Sequence, residues 1–331
     1  MTTRAGLLPW SASPAAALPY LRLAKPGIAA LSTLSAAAAF SLAAPHLSGG
    51  FFPTLAGLFL LACGCGALNQ YQERAIDARM PRTCRRPLPA GEIRPRDALM
   101  FALSLLPPGL LLLQRGGGTA ATLLGLTAIV WYNGVYTGLK RRTALALFPG
   151  ALVGALPPAI GWVGAGGSLA DPRLLSLCGL LFLWQLPHFG LLLLAHGDEY
   201  ARGGLPVLSE LLPRPQLARI VHLWLLGAAA AGLLLPLPAA SGWVPRAILA
   251  TASLALAASG RGILAGSGAA AGRVFHATNA YMVLILVVVL AGAAQSRAAA
   301  SLDNRSGTTE HRSSREDQPV GRVMSWNSAA R

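Results

Sequence analysis

Asn69-Gln-Tyr-Gln-Glu73-Arg-Ala-Ile-Asp77-Ala-Arg79-Met-Pro-Arg82-Thr-Cys-Arg85-Arg86-Pro-Leu-Pro-Ala-Gly91 closes an apolar run that begins near residue 51. That run is long enough to cross a bilayer, which takes about 20 residues of helix. Asn69, Glu73 and Asp77 stand at i, i+4 and i+8, so a helix stacks the amide and both carboxylates along one face. Five arginines share the stretch. Charge at a membrane boundary is expensive, and that expense marks a functional site. Carboxylates hold Mg²⁺ and arginines grip phosphate oxygens, a combination that suits a diphosphate.

The rest of the chain supplies the membrane. Of its 331 residues, 54% are hydrophobic and 12% charged, against about a quarter charged in a soluble domain. Mean hydropathy is +0.53. The net charge of +15 would suit nucleic acid, but the basic residues lie in short loops between apolar segments. There they set topology and meet anionic lipid or substrate, so the bilayer is the expected partner and nucleic acid is not. Cys63, Cys65 and Cys178 lie within apolar segments and Cys84 in the arginine-rich loop, which is no disulfide framework.

Nine apolar segments fall at about 27–46, 51–72, 97–114, 119–137, 145–165, 174–196, 218–240, 245–260 and 274–295. They predict an all-α integral membrane protein of nine transmembrane helices, rich in the small residues that let helices approach in lipid. With the N-terminus inside, the inner loops hold fifteen Lys and Arg and the outer loops only Arg115, Arg173 and Arg246. This bias fixes the orientation. The expected division is an inner N-terminal segment (1–25), a membrane domain (26–295) and a disordered polar tail (296–331).

Three inner loops then hold the polar chemistry: 69–91, Tyr132 to Thr143 leading into Gly154-Ala-Leu-Pro157-Pro158, and Trp184-Gln185-Leu-Pro187-His188-Phe189 followed by His196-Gly-Asp198-Glu199-Tyr200. An allylic diphosphate ionises to a carbocation and pyrophosphate, so it needs Mg²⁺, fixed positive charge and a dry aromatic pocket. Glu73 and Asp77, with Asp198 and Glu199, are the candidate metal ligands, and Asn69 stands beside them. Arg82, Arg86, Lys140 and Arg141 are the candidate counter-charges. Trp131, Tyr132, Tyr136 and Trp162 are placed to line a prenyl channel, or to form an aromatic belt at the bilayer edge.

In order and spacing these constellations resemble the UbiA superfamily of intramembrane prenyltransferases and, within it, the haem O synthases. Asn69-x3-Glu73-x3-Asp77-x2-Met80-x-Arg82-Thr83-x2-Arg86-Pro87-Leu88-Pro89-x-Gly91 is similar to that family's first acidic motif and arginine loop. Tyr136-Thr137-x2-Lys140-Arg141 and Gly154-Ala-x-Pro157-Pro158-x-x-Gly161-Trp162 resemble its central segment. Trp184-Gln185-x-Pro187-His188-Phe189 discriminates haem O synthases from quinone-forming relatives, and Phe275-His276-x4-Tyr281 is similar to the family's last helix. Glu73 stands where the wider superfamily usually has Asp, and Asp198-Glu199 inverts the usual order. The resemblance implies nine helices in the inner membrane with cytoplasmic active-site loops. It implies Mg²⁺-dependent transfer of farnesyl from farnesyl diphosphate to haem b, here a substrate, with a haem A synthase downstream. His188 is then a candidate acceptor contact with Trp184, Gln185 and His276 around it, and a bend is expected at Pro187. The rival readings are a related enzyme acting on a quinone precursor or chlorin, and an anion-binding transporter or scaffold.

Overall fold

The computed structural model describes residues 14–316, except 45, 239, 240 and 265–267. Helix α1 (Pro14–Ala24) precedes α2 (Pro26–Ala43), α3 (Phe51–Asp77), α4 (95–117) and α5 (119–139). Then come α6 (Ala144–Gly164), α7 (Pro172–Arg202), α8 (Arg214–Leu233), α9 (Trp243–Leu264) and α10 (Gly268–Glu316). Eight helical stretches are long and apolar enough to cross a membrane, and one of them, Pro95–Leu139, is two helices. The chain reverses at Gly118, whose φ of 68° favours glycine. Thr122 Oγ1 donates to Gln114 Oε1 at 2.9 Å. In a continuous helix, residues eight apart would stand about 12 Å apart. Among the described residues the crossings therefore number nine, as the hydrophobic spacing predicts.

A second contact agrees. Arg297, late in α10, donates to the Ser41 carbonyl near the C-terminal end of α2 at 2.9 Å. Helices that meet this way run parallel, which requires an odd number of crossings. α2 packs on α3, α6 and α10, while α7 packs on α6, α8 and α10, and α9 closes against α8 and α10. Small residues set the closest approaches. A Cβ on Gly161 of α6 would collide with the Ala36 carbonyl of α2, whose neighbours Ala37, Ala38 and Ala39 are all buried. Leu177, Leu180, Leu191, Leu225 and Ile285 fill the centre of the larger core.

Two features of the later helices were not read from the sequence. α7 breaks at His196 (φ −136°) and carries Pro187 inside a continuous helix. The second half of the chain's Trp-to-Phe motif thus keeps helical register down to His196. The last helix, α10, is described to Glu316. No proline interrupts 268–316, and Ala298, Ala299 and Ala300 favour helix. Residues 1–13 and 317–331 lie outside the described residues.

Gly161→Ala should cost about 1–3 kcal/mol by overpacking the α2–α6 crossing, read as a lower Tm in detergent. Gly27→Ala, where an added Cβ meets nothing within 4 Å, should leave Tm unchanged.

Candidate active site

The helical spacing of Asn69, Glu73 and Asp77 buries all three at one end of α3. Burying charge costs several kcal/mol per ion without a partner. Each carboxylate receives one from a different segment. Arg86 Nη1 reaches both oxygens of Asp77, at 2.9 and 2.8 Å. Lys140 Nζ lies 2.5 Å from Glu73 Oε1. That oxygen has no well-aligned hydrogen bond, so the pair is Coulombic and leaves the carboxylate acceptor capacity to spare. Asn69 Nδ2 donates to Thr137 Oγ1 at 3.1 Å.

The loop 78–94 is folded as a cap that aims Arg86. Leu88 and Ile93 pack with Leu23, Ala67 and Ala98. Thr83 Oγ1 donates to the Asp77 carbonyl at 2.9 Å, and Gly91 (φ 74°) makes the turn. Arg22 of α1 bridges to Glu92 at 2.8 Å and donates to the Arg85 carbonyl at 2.6 Å. Opposite this cap, α5 ends in a π-helix over Val130–Tyr136, a winding that often marks functional sites. Its Asn133 Nδ2 donates to the Cys65 carbonyl, and Gln72 Nε2 donates to the Asn133 carbonyl, each at 3.0 Å. Arg141 Nη2 donates to the Gln72 carbonyl at 2.5 Å.

This winding stacks Tyr132 on Tyr136 with ring centres 5.9 Å apart. Lys140 Nζ stands 5.7 Å from the Tyr136 ring, and Tyr136 meets Phe189 at 6.4 Å. Tyr136 lies close to α6 because position 150 is glycine; a Cβ there would stand 2.6 Å from the ring. Phe189 leads to His188 at 5.8 Å, and His188 to Trp184 at 5.0 Å and Phe275 at 4.7 Å. An aromatic wall thus runs from the charged mouth into the bundle. Trp184 Nε1 donates to the Thr278 carbonyl of α10 at 2.8 Å.

The four candidate metal carboxylates do not converge. Glu199 accepts from the Arg82 backbone N–H at 3.0 Å and meets His196 Nδ1 at 3.2 Å. Arg82 Nη2 donates to the Tyr200 hydroxyl at 3.2 Å. Asp198 is exposed. Among the described residues no three Asp, Glu, His or Cys side chains form a metal cage. Mg²⁺ asks for less, since one or two carboxylates and substrate phosphates suffice. Glu73, with its unaligned buried oxygen, and Asp77 fit that role. Gln185 packs toward Gly154, and His276 is exposed, edge-on to Phe275.

A model of the UbiA prenyltransferase family matches residues 30–285. The chain is 45% identical over 216 residues to a protohaem IX farnesyltransferase of Geobacter sulfurreducens, covering 65% of this chain and 80% of that one. It is 37% identical over 266 residues to a protohaem IX farnesyltransferase of Oleidesulfovibrio alaskensis, covering 80% and 92%. The chain belongs to the UbiA prenyltransferase family. Its fold is similar to that of an Archaeoglobus fulgidus UbiA homologue bound to GPP and Mg²⁺, at TM-score 0.61, 14% identity and 82% and 99% coverage. It is also similar to a digeranylgeranylglyceryl phosphate synthase, at TM-score 0.65, 14% identity and 84% and 99% coverage.

In this UbiA chain, sequence reasoning assigned no role to Gln72, Asn133 or Lys25. Gln72 and Asn133 join α3 to the π-helix, and their signal is a polar pair inside apolar runs. Lys25 sits at the start of α2 in the left-handed region (φ 50°, ψ 56°). Part of the residue is exposed, yet burial of its ammonium, followed by repulsion from Arg86, lowers its pKa to about 8 against the pull of Glu73 and Asp77. As pH rises through about 8 Lys25 loses its charge, so diphosphate affinity should fall. Calorimetric titration with farnesyl diphosphate across that range should show the fall in the wild type. The Lys25→Met curve should be weaker below about pH 8, meet the wild-type curve above it, and lack the fall.

Proposed function

We propose that this chain is a protohaem IX farnesyltransferase. It transfers farnesyl from farnesyl diphosphate to a vinyl group of haem b, with a hydroxyl added at the neighbouring carbon, to give haem O. The observation that carries this reading is the pair of buried carboxylates, each held by a cation, opening onto the aromatic wall from Tyr136 to His188. Curated relatives with the protohaem IX farnesyltransferase name, aligned over most of their own length, support it.

Arg86 and Lys140, with Arg82, Arg141 and Lys25 around them, bind the diphosphate and take up the charge that grows on it as the allylic C–O bond breaks. Tyr132, Tyr136 and Phe189 face the farnesyl cation with π density and exclude water that would quench it. Glu73 and Asp77 would hold Mg²⁺, which when bound neutralises the leaving diphosphate. Trp184 and His188 meet the haem. By the positive-inside bias, the mouth faces the cytoplasm in a bacterial inner membrane. Haem O then passes to a haem A synthase and on to haem-copper oxidases.

Membranes containing the protein, given farnesyl diphosphate, Mg²⁺ and haem b, should yield haem O on pigment analysis, with reversible inhibition by EDTA. Asp77→Asn keeps the shape, removes the charge, and should leave less than about a tenth of the turnover, a barrier deficit above about 1.4 kcal/mol. Arg86→Ala should chiefly raise KM for farnesyl diphosphate. Greater residual activity in Asp77→Asn would remove the carboxylate from the proposed chemistry. Preferential prenylation of 4-hydroxybenzoate would overturn the acceptor.

A further inference from the structure

His188 on α7 and Asn279 on α10 meet across the bundle, with Nδ1 3.0 Å from the amide oxygen Oδ1. An amide oxygen only accepts, so the imidazole proton of this contact lies on Nδ1 and the lone pair of the ring is left on Nε2. Among the described residues Nε2 makes no hydrogen bond, and the side chain is half-buried rather than sealed in. Phe275, Trp184 and Phe189 surround the ring at 4.7, 5.0 and 5.8 Å. The Trp184 bond to the Thr278 carbonyl locks the register of the two helices one residue from Asn279. His188 lies eight residues before the break at His196, about 12 Å below it along the helix. Histidines that ligate metals characteristically donate their other N–H to a carbonyl oxygen, which fixes tautomer and orientation.

We infer that Asn279 is a positioning residue for the acceptor: it holds His188 through Nδ1–H so that Nε2 ligates the iron of the incoming haem. The inference rests on haem b being the second substrate. It assigns Asn279 a part in acceptor recognition and none in diphosphate binding. The flanking aromatic rings then pack against the macrocycle, and Phe189 and Tyr136 place it at the inner end of the prenyl path.

The test uses purified full-length protein titrated with ferric haem b, read by its Soret band, its midpoint potential and its affinity. Farnesyl diphosphate affinity is measured in parallel. The wild type should give an imidazole-ligated spectrum. His188→Ala should lose it and regain it with added imidazole. Asn279→Leu should weaken haem binding at least roughly tenfold, as loss of an outer-shell partner does. Asn279→Asp, of the same size and with a stronger acceptor, should shift the midpoint potential downward, and it decides the matter if Asn279→Leu does not fold. Farnesyl diphosphate affinity should stay at the wild-type value in all three. A wild-type haem spectrum in His188→Ala, or wild-type spectrum, potential and affinity in Asn279→Asp, would overturn the inference and reduce the contact to an interhelical tie. If those variants respond as expected but the wild type makes no haem O, the site binds haem and the proposed reaction is what fails.

Discussion

Two carboxylates buried at the end of one helix are the constraint to which the surrounding structure answers. Neither Glu73 nor Asp77 can sit there alone, because an unpaired charge out of water costs more than most folds can spare. The cap loop folds so that Arg86 arrives from one side, and α5 ends so that Lys140 arrives from the other. The positive-φ turn at Gly91, the Arg22–Glu92 bridge and the π-winding of Val130–Tyr136 all act to bring those cations in. A charged mouth results that is dry beneath and wet above. A reaction that separates an anion from a carbocation needs both environments within a few ångströms of one another.

Much of this was legible in the chain itself, for identifiable reasons. Helical periodicity put Asn69, Glu73 and Asp77 on one face, because the 3.6-residue repeat holds wherever a helix is unbroken. The reversal at Gly118 was legible from the apolar spacing on either side of Gln114-Arg115-Gly116-Gly117-Gly118, even though only Gly118 itself leaves the helical conformation. Loop arginines were legible as a group, but their partners were not. Which arginine meets which carboxylate depends on how the loop turns back, and Arg82 reaches Glu199 through its backbone N–H rather than its guanidinium.

Other features lie in tertiary packing and leave little trace in sequence. Proline at 187 reads as the place where the helix gives way, yet the non-helical backbone of α7 falls at His196. Asp198 reads as half of an acidic pair, but that break leaves it exposed while Glu199 turns toward the loop. Lys25 carries no signal of its role in the sequence, and only its αL backbone and its charged neighbours reveal a place in the mouth. Asn279 reads as one polar residue in a long apolar helix, since its partner lies 91 residues away.

The contact between Arg297 and Ser41 joins residues 256 positions apart, at the seam where the last crossing lies parallel to the first. Such a seam cannot form until every intervening crossing has been threaded, so it is the final joint of the ring. Before α10 emerges, the side of α2 that α10 covers has only lipid to face, and α7 lacks the neighbour that receives the Trp184 indole. Assembly therefore has a direction in time. The charged end is drawn together by α3, its cap and α5, all within the first 140 residues, while the aromatic wall around His188 waits for the ring to close.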